Sequence, residues 1–136
     1  MPPRVAPPIT TDNAFFWNGL CAGKLLIQRC TSCAALRNPP GPMCPSCQSL
    51  RWDTIEACGR GTVYSYVMPC LPRVAFFEYP YIVALVELAE GVRLVSNLCD
   101  IAPSDVEVGL PVEVFYRTFP GDLVLHQFRP AAGRRT

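Results

Sequence analysis

Cys30-Thr-Ser-Cys33 and Cys44-Pro-Ser-Cys47, two Cys-x-x-Cys pairs ten residues apart, decide how this chain folds. Four thiolates at that spacing suit a closed tetrahedral Zn²⁺ site, in which two short knuckles each supply two soft sulfur ligands at little chain-entropy cost. Pro45 restricts φ inside the second knuckle, and the Asn38-Pro-Pro-Gly-Pro42 run between the pairs reads as an extended connector. A disulfide framework would need an oxidising compartment, and Met1 to Thr10 carries four prolines and one arginine but no apolar run of signal-peptide length. A thioredoxin-like redox motif would use one pair beside a βαβ pattern, and here two pairs sit among prolines. The cysteines therefore predict one structural zinc held by Cys30, Cys33, Cys44 and Cys47, in a short ribbon of the rubredoxin or knuckle type.

The composition sets the scale for what surrounds that ribbon. The 136 residues fit one globular domain with a small appendage, and half of them are hydrophobic, enough for a proper core. Twelve basic against eleven acidic side chains leave a formal net charge of +1, which is not the footprint of a dedicated nucleic-acid binder. Fifteen prolines and nine glycines argue for many turns and few long helices. No apolar run approaches the ~20 residues of a membrane span. The expectation is a cytoplasmic protein whose cysteines stay reduced unless they bind metal.

Residues 1–10 are Pro-rich and unpatterned, and are expected to form a flexible arm. Residues 11–57 carry a short helix and the ribbon: Thr11 or Asp12 caps a helix bearing Phe15, Phe16, Trp17 and Leu20, and Gly23 ends it. Leu25 to Arg29 then delivers the chain into the first knuckle as a strand, and Leu50 to Glu56 returns from the second. Residues 58–130 hold five strands: Thr62 to Met68, Tyr81 to Leu88, Val92 to Cys99, Pro111 to Tyr116 and Leu123 to Phe128. In the first of these, strict alternation places Val63, Ser65 and Val67 on one face. Only one helical turn fits between the third and fourth strands, in Ile101 to Gly109. That order predicts a mostly β protein with a five-stranded Greek-key OB-fold barrel. Residues 131–136 are expected as a flexible tail.

With ribbon and strands in view, the chain resembles the OB-fold proteins with an N-terminal rubredoxin-like zinc ribbon that accompany thiolase-superfamily enzymes in acyl-CoA metabolism. The resemblance spans most of the chain. It is carried by Phe16-Trp17-Asn18-Gly19-Leu20, Gln28-Arg29-Cys30-Thr-Ser-Cys33, Pro39-Pro40, Cys44-Pro45-Ser46-Cys47, Gly59-Arg60-Gly61-Thr62-Val63-Tyr64-Ser65, Pro80-Tyr81, Ser96-Asn97-Leu98, Gly109-Leu110-Pro111-Val112 and Phe128-Arg129-Pro130. It implies a non-catalytic accessory or scaffold subunit beside a thiolase-fold enzyme, with acyl-CoA at or near the shared interface. Among family members the chain looks most like the partner of the aldolase of sterol side-chain breakdown.

The residues themselves offer little chemistry of their own. Thioester chemistry needs an activated Cys or Ser beside a base, and the one histidine, His126, alternates with Val124 and Phe128 on the last strand, as a wall residue does. Cys21, Cys58, Cys70 and Cys99 have no paired spacing and read as small hydrophobes. Gly59-Arg-Gly61 is too short for a phosphate loop and leads into a strand, so it reads as a turn. Arg29, Arg37 and Arg60 are the candidate contacts for an anionic CoA moiety. The loop Cys70 to Tyr79, with Phe76 and Phe77 beside Arg73, has the composition of an interface hot spot. With Phe15, Phe16 and Trp17 it makes the expected partner surface; a loop plugging the open end of the barrel is the alternative. A second function class is a zinc-ribbon and OB module that binds single-stranded nucleic acid on Tyr64, Tyr66 and Phe115, against which the near-neutral charge weighs.

Overall fold

The computed structural model describes residues 3–71, 73–75 and 77–131. Residues 3–10 form no helix or strand, but Arg4 reaches across the barrel to donate to Asn97 Oδ1 at 2.9 Å. Its guanidinium also lies 4.4 Å from the ring centre of Phe77 and 4.6 Å from that of Phe119.

Helix α1 spans Ala14–Cys21. Its N-cap is Asn13, one or two residues after the expected Thr11 or Asp12, and the Asn13 side chain works backwards. Its Oδ1 accepts from Thr10 N and its Nδ2 donates to Pro8 O, so the cap fastens the incoming chain and leaves the first-turn N–H groups to others. The C-terminus closes as a Schellman motif, with Lys24 N donating to Gly19 O and Gly23 N to Leu20 O. Gly23 supplies the φ of +73° that this motif requires.

Three short strands make the ribbon: β1 (Leu26–Cys30), β2 (Leu36–Arg37) and β3 (Trp52–Glu56), in the antiparallel order β2-β1-β3. Five more close a barrel: β4 (Arg60–Val67), β5 (Ile82–Leu88), β6 (Arg93–Leu98), β7 (Pro111–Phe119) and β8 (Leu123–Pro130), in the order β4-β5-β6-β8-β7 with β7 returning to β4. A single 3-10 turn, Pro103–Asp105, sits between β6 and β7, where only one helical turn was expected. The mostly β fold with its short helix, zinc-ribbon region and five-stranded OB barrel is thus as the sequence predicts.

Ribbon, helix and barrel share one core. Leu20, Leu25 and Ile27, all buried, belong to the same apolar cluster as Val63, Val86, Val112 and Phe128 of the barrel. The continuity matters because a ribbon of this size cannot bury enough apolar surface to stand alone.

The barrel departs from simple expectation at two seams. A register shift between Val63 and Ser65 breaks the alternation of β4, so Val67 is 59 % exposed while Val63 is 1 % exposed, and the face proposed for Val63, Ser65 and Val67 does not exist as one face. Between β6 and β8 the ladder consists of one parallel pair, Leu98 with Phe128. Side chains fasten the remainder of that seam: Ser96 Oγ donates to His126 O at 2.8 Å, and His126 Nε2 lies 3.0 Å from Val95 O.

Gly61 marks the tightest approach in the barrel. A Cβ there would strike the carbonyl oxygen of Glu87 on β5 and come 3.0 Å from a Val86 methyl. The Gly61→Ala variant should therefore lose about 1–3 kcal/mol of stability, because backbone must move to admit one methyl. A denaturant midpoint equal to that of the unaltered chain would show that the strands are not this close.

Candidate metal centre

The two knuckles are built alike, which follows from their matching sequences. In each, the N–H four residues after the first cysteine returns to that cysteine's carbonyl: Ala34 N to Cys30 O at 2.9 Å and Gln48 N to Cys44 O at 2.8 Å. In each, the first cysteine's N–H is held by the carbonyl five residues on, Ala35 O for Cys30 and Ser49 O for Cys44, both at 2.9 Å. Ala34 and Gln48 take φ of +66° and +65°, the left-handed turn that swings the chain away after the second sulfur of each pair.

The four Sγ atoms lie within 4.8 Å of one another, with Cys30 to Cys47 at 3.5 Å and Cys33 to Cys44 at 3.6 Å. A tetrahedron of sulfurs at the Zn–S bond length has an edge of about 3.8 Å, so this set fits one zinc ion with no place for a water ligand. Cys30 and Cys44 are buried, Cys33 and Cys47 exposed, so one sulfur of each pair faces the core and one the solvent. Without a cation the four thiols do not ionise together. The N–H of Cys33 holds Cys30 down to about 6, and the N–H of Cys47 lowers Cys44. Cys47, although the Ser49 N–H favours its thiolate, is pushed up to about 12 by the sulfurs of Cys30, Cys33 and Cys44. Cys33 is raised as well, despite the Ala35 N–H that favours its thiolate, with Cys44 the largest upward influence. A divalent cation removes that conflict, which is the electrostatic reason for such a cluster to hold metal.

The arginines expected at a CoA moiety have partners within the ribbon or stand at its exit. Arg29 makes a two-pronged bond to Asp53 across β1 and β3, at 2.8 and 2.7 Å. Arg37 is buried; its Nε donates to Gln28 Oε1 at 3.0 Å and its Nη2 to Gly41 O at 2.9 Å. With Gln28, which holds both the N–H and the C=O of Gly41, it pins the Pro-rich connector to the ribbon. Arg60 is exposed at the start of β4. Gly59, with φ of +87°, accepts from Val114 N through its carbonyl, but Arg60 and Gly61 already belong to β4 and pair with Glu113 and Val112 of β7, so the stretch expected as a turn is one bend and the start of a strand.

The expected partner surface divides. Phe16 is 7 % exposed and meets the His126 ring edge-on at 5.3 Å, so it faces the core. Phe15 and Trp17 are half-buried, Phe15 tilted against Trp52 at 5.1 Å. Phe77 is stacked on Tyr81 at 4.4 Å with Arg4 over its ring, and Phe76 lies outside the described residues. Exposed apolar side chains follow the bulge at Tyr66, Val67 (59 %), Leu71 (86 %) and Val74, and others stand elsewhere, at Leu50, Val95 and Val108 among them. Alternation alone sets Val67 on one face with Val63 and the bulge turns it out, whereas Leu71 and Val74 lie in the loop Cys70 to Tyr79 already expected as partner surface. Of the candidate stacking rings, Tyr64 is covered by Arg93 at 3.8 Å, and Arg117 and Arg129 lie over the ring of Phe115.

His126 is a staple. A carbonyl only accepts, so the 3.0 Å contact to Val95 O places the proton on Nε2 and leaves Nδ1 as a bare lone pair. Burial pushes its pKa below the usual histidine value, while the Val95 bond pulls the other way.

Comparison with known proteins places this geometry in a family. Residues 17–53 match the rubredoxin-like zinc ribbon domain of ChsH2, and residues 54–117 match the C-terminal OB-fold domain of ChsH2. A probable enoyl-CoA hydratase alpha subunit of Thermomonospora curvata is 51 % identical over 94 % of this chain. The 3-oxo-4,17-pregnadiene-20-carboxyl-CoA hydratase alpha subunit of Mycobacterium tuberculosis is 40 % identical over 91 % of it. The chain spans 40 % and 39 % of the length of those two relatives. A DUF35 domain-containing scaffold protein of Methanocaldococcus jannaschii is 33 % identical over 69 % of this chain and 68 % of its own. Among solved structures, a chain of the Ltp2-ChsH2(DUF35) aldolase superposes with a TM-score of 0.89 at 51 % identity, covering 93 % of this chain and 99 % of that one.

Two outcomes follow from the site. Elemental analysis should find one zinc per chain, and Cys44→Ser should lose it; full metal content in that variant would refute the four-sulfur assignment. His126 supplies a pH dependence. Its folded-state pKa lies below the unfolded value near 6.5, so the unfolded chain takes up the proton first, and stability is full above that value and falls as pH drops through it. His126→Gln should flatten this slope in acid-unfolding curves, and an unchanged slope would show that His126 is not its source.

Proposed function

This chain belongs to the ChsH2 (DUF35) family, in which a rubredoxin-like zinc ribbon precedes an OB-fold domain, and on that premise we propose that it is a non-catalytic accessory subunit of a thiolase-superfamily enzyme acting on acyl-CoA thioesters. The partner's reaction is the retro-aldol cleavage of a sterol side-chain CoA ester. The observation that carries this reading is the close superposition on a chain of the Ltp2-ChsH2(DUF35) aldolase along 99 % of that chain's length. The relatives named scaffold proteins point the same way, and those named hydratase alpha subunits keep the substrate class at CoA thioesters. Among the described residues the one histidine, His126, is engaged with Val95, and the four ribbon sulfurs are placed to bind a metal. Zinc, in this reading, shapes the ribbon and takes no part in the chemistry. No helix among the described residues is long and apolar enough to cross a membrane.

The partner would be met by the strip Tyr66, Val67, Leu71 and Val74, with Phe15, Trp17 and Phe77 alongside as partly exposed anchors and Phe16 supporting the helix from beneath. Acyl-CoA would pass near the same interface, with Arg60 the arginine most open to its phosphates; Arg29 and Arg37 would act through their hold on the ribbon. Co-expression with the thiolase-fold partner gives the test. Leu71→Asp and Trp17→Ala should each weaken the complex by ~1 to 4 kcal/mol with zinc content unchanged. Wild-type affinity in both variants, or thioester turnover by the pure isolated chain, would overturn the proposal.

A further inference from the structure

Where β6, the end of β7 and the loop before β5 meet, the barrel grips one side chain of its own N-terminal arm. Arg4 Nη1 donates to Asn97 Oδ1 at 2.9 Å, and the guanidinium lies 4.4 Å from the ring centre of Phe77 and 4.6 Å from that of Phe119. Each of these partners is itself held. Asn97 Nδ2 donates to Ile82 O at 3.1 Å, which turns Oδ1 toward the arginine. Phe77 is stacked on Tyr81 at 4.4 Å with ring planes 6° apart, and Phe119 is buried. An oriented acceptor beside two fixed ring faces suits a planar cation that donates at its edge and stacks on its face. A guanidinium does both, and an ammonium, a compact point donor, does so less well.

The arm that carries this arginine is otherwise lightly held. Residues 3–10 form no helix or strand, and Val5 and Ile9 are 66 % and 63 % exposed, so among the arm's larger described side chains Arg4 is the one the barrel grips. Asn13 ties the far end of the arm through Thr10 N and Pro8 O, bonds that belong to the start of α1 and not to the site. Arg4 lines two adjoining cavities of about 450 and 260 Å³, which share Tyr81, Asn97 and Gln127, so its withdrawal would join them into one groove. Glu78, Asp100 and Arg117 also line the larger cavity. With Arg4 gone, its described wall carries two carboxylates to one guanidinium, and a cation is again the complementary ligand.

We propose that this is an exchangeable arginine-recognition site: Arg4 fills it in the free chain, and an arginine on an extended segment of a partner protein takes its place when the arm swings out. Phe77 lies in the loop Cys70 to Tyr79 that the proposed partner surface includes, so an incoming arginine meets the site along that surface. The arm sets the form of the occupant, a guanidinium carried on extended backbone and not a free amino acid. The recognition site is a property of the isolated chain; only the source of the second arginine rests on the accessory-subunit reading.

The experiment titrates the zinc-loaded, ¹⁵N-labelled full chain carrying Arg4→Ala, which empties the site, with the capped tripeptide acetyl-Pro-Arg-Val-amide, a copy of residues 3–5. Saturable shifts should appear at the Asn97 side-chain amide. The same peptide with lysine or citrulline in place of arginine lacks the stacking plane or the charge, and should bind at least about fivefold more weakly. Free arginine should also bind more weakly than the peptide. The unaltered chain should need several times more peptide for the same shifts, because the tethered Arg4 competes at an effective concentration of about millimolar or above. Co-expressed with the thiolase-fold partner, Arg4→Ala should tighten the complex by about threefold or more, since a competitor in cis lowers apparent affinity by the fraction of sites it leaves open. If neither chain binds such a partner, the accessory-subunit reading falls and the peptide titration alone decides the site. No saturable binding, equal binding of the three peptides, equal binding by the unaltered and Arg4→Ala chains, free arginine as tight as the peptide, or a complex that Arg4→Ala leaves unchanged or weakens would overturn the proposal.

Discussion

Four sulfurs drawn around one cation hold the ribbon, and through it the walls of everything else. The ribbon's strands are five, two and five residues long, too short to persist by ladder hydrogen bonds alone. Closing the two knuckles on a metal fixes β1 between β2 and β3, and β1 carries Ile27 into the same apolar cluster as Phe128 and Val86. The connector between the knuckles is fixed at the same time, because Gln28 and Arg37 grip Gly41. Metal binding is therefore coupled to burial in the barrel, and the free energy of zinc capture is in part folding free energy of the whole chain.

The β6–β8 seam is the second constraint, and it works by subtraction. Where the ladder is reduced to one pair, the backbone groups that would have paired need other partners, and Ser96 and His126 supply two of them from side chains. The lone histidine, the residue most open to a catalytic reading in the sequence, is used up in that task. Helix α1 lies across the same region, setting Phe16 edge-on against the His126 ring, and a cleft is what packing leaves between them.

Local features were the legible ones. The Cys-x-x-Cys spacing, the Gly23 stop and the five strands each depend on residues close in sequence, and the structure keeps them. Placement across long separations was not legible. Nothing in Met1 to Thr10 announces that Arg4 reaches Asn97 and stacks over Phe77, a contact that spans 93 positions. The bulge after Val63 has no glycine to signal it, so the outward turn of Val67 was hidden in an apparently ordinary strand. Three aromatics in a row suggested one surface; helical geometry instead turns Phe16 inward, since consecutive residues point about 100° apart. Arg37 looked available to an anion because composition gives charge without burial, and its guanidinium is instead committed to the Gly41 carbonyl of the connector.

The central claim, that the metal holds the barrel as well as the ribbon, is tested most directly by hydrogen exchange on the zinc-loaded chain before and after chelation. Amides of Val86 on β5 and Phe128 on β8, far in sequence from any cysteine ligand, should lose protection when zinc is stripped and regain it when zinc is returned. Full protection at both positions in the stripped chain, with exchange rising only between Leu26 and Glu56, would show that ribbon and barrel fold independently and would contradict the account.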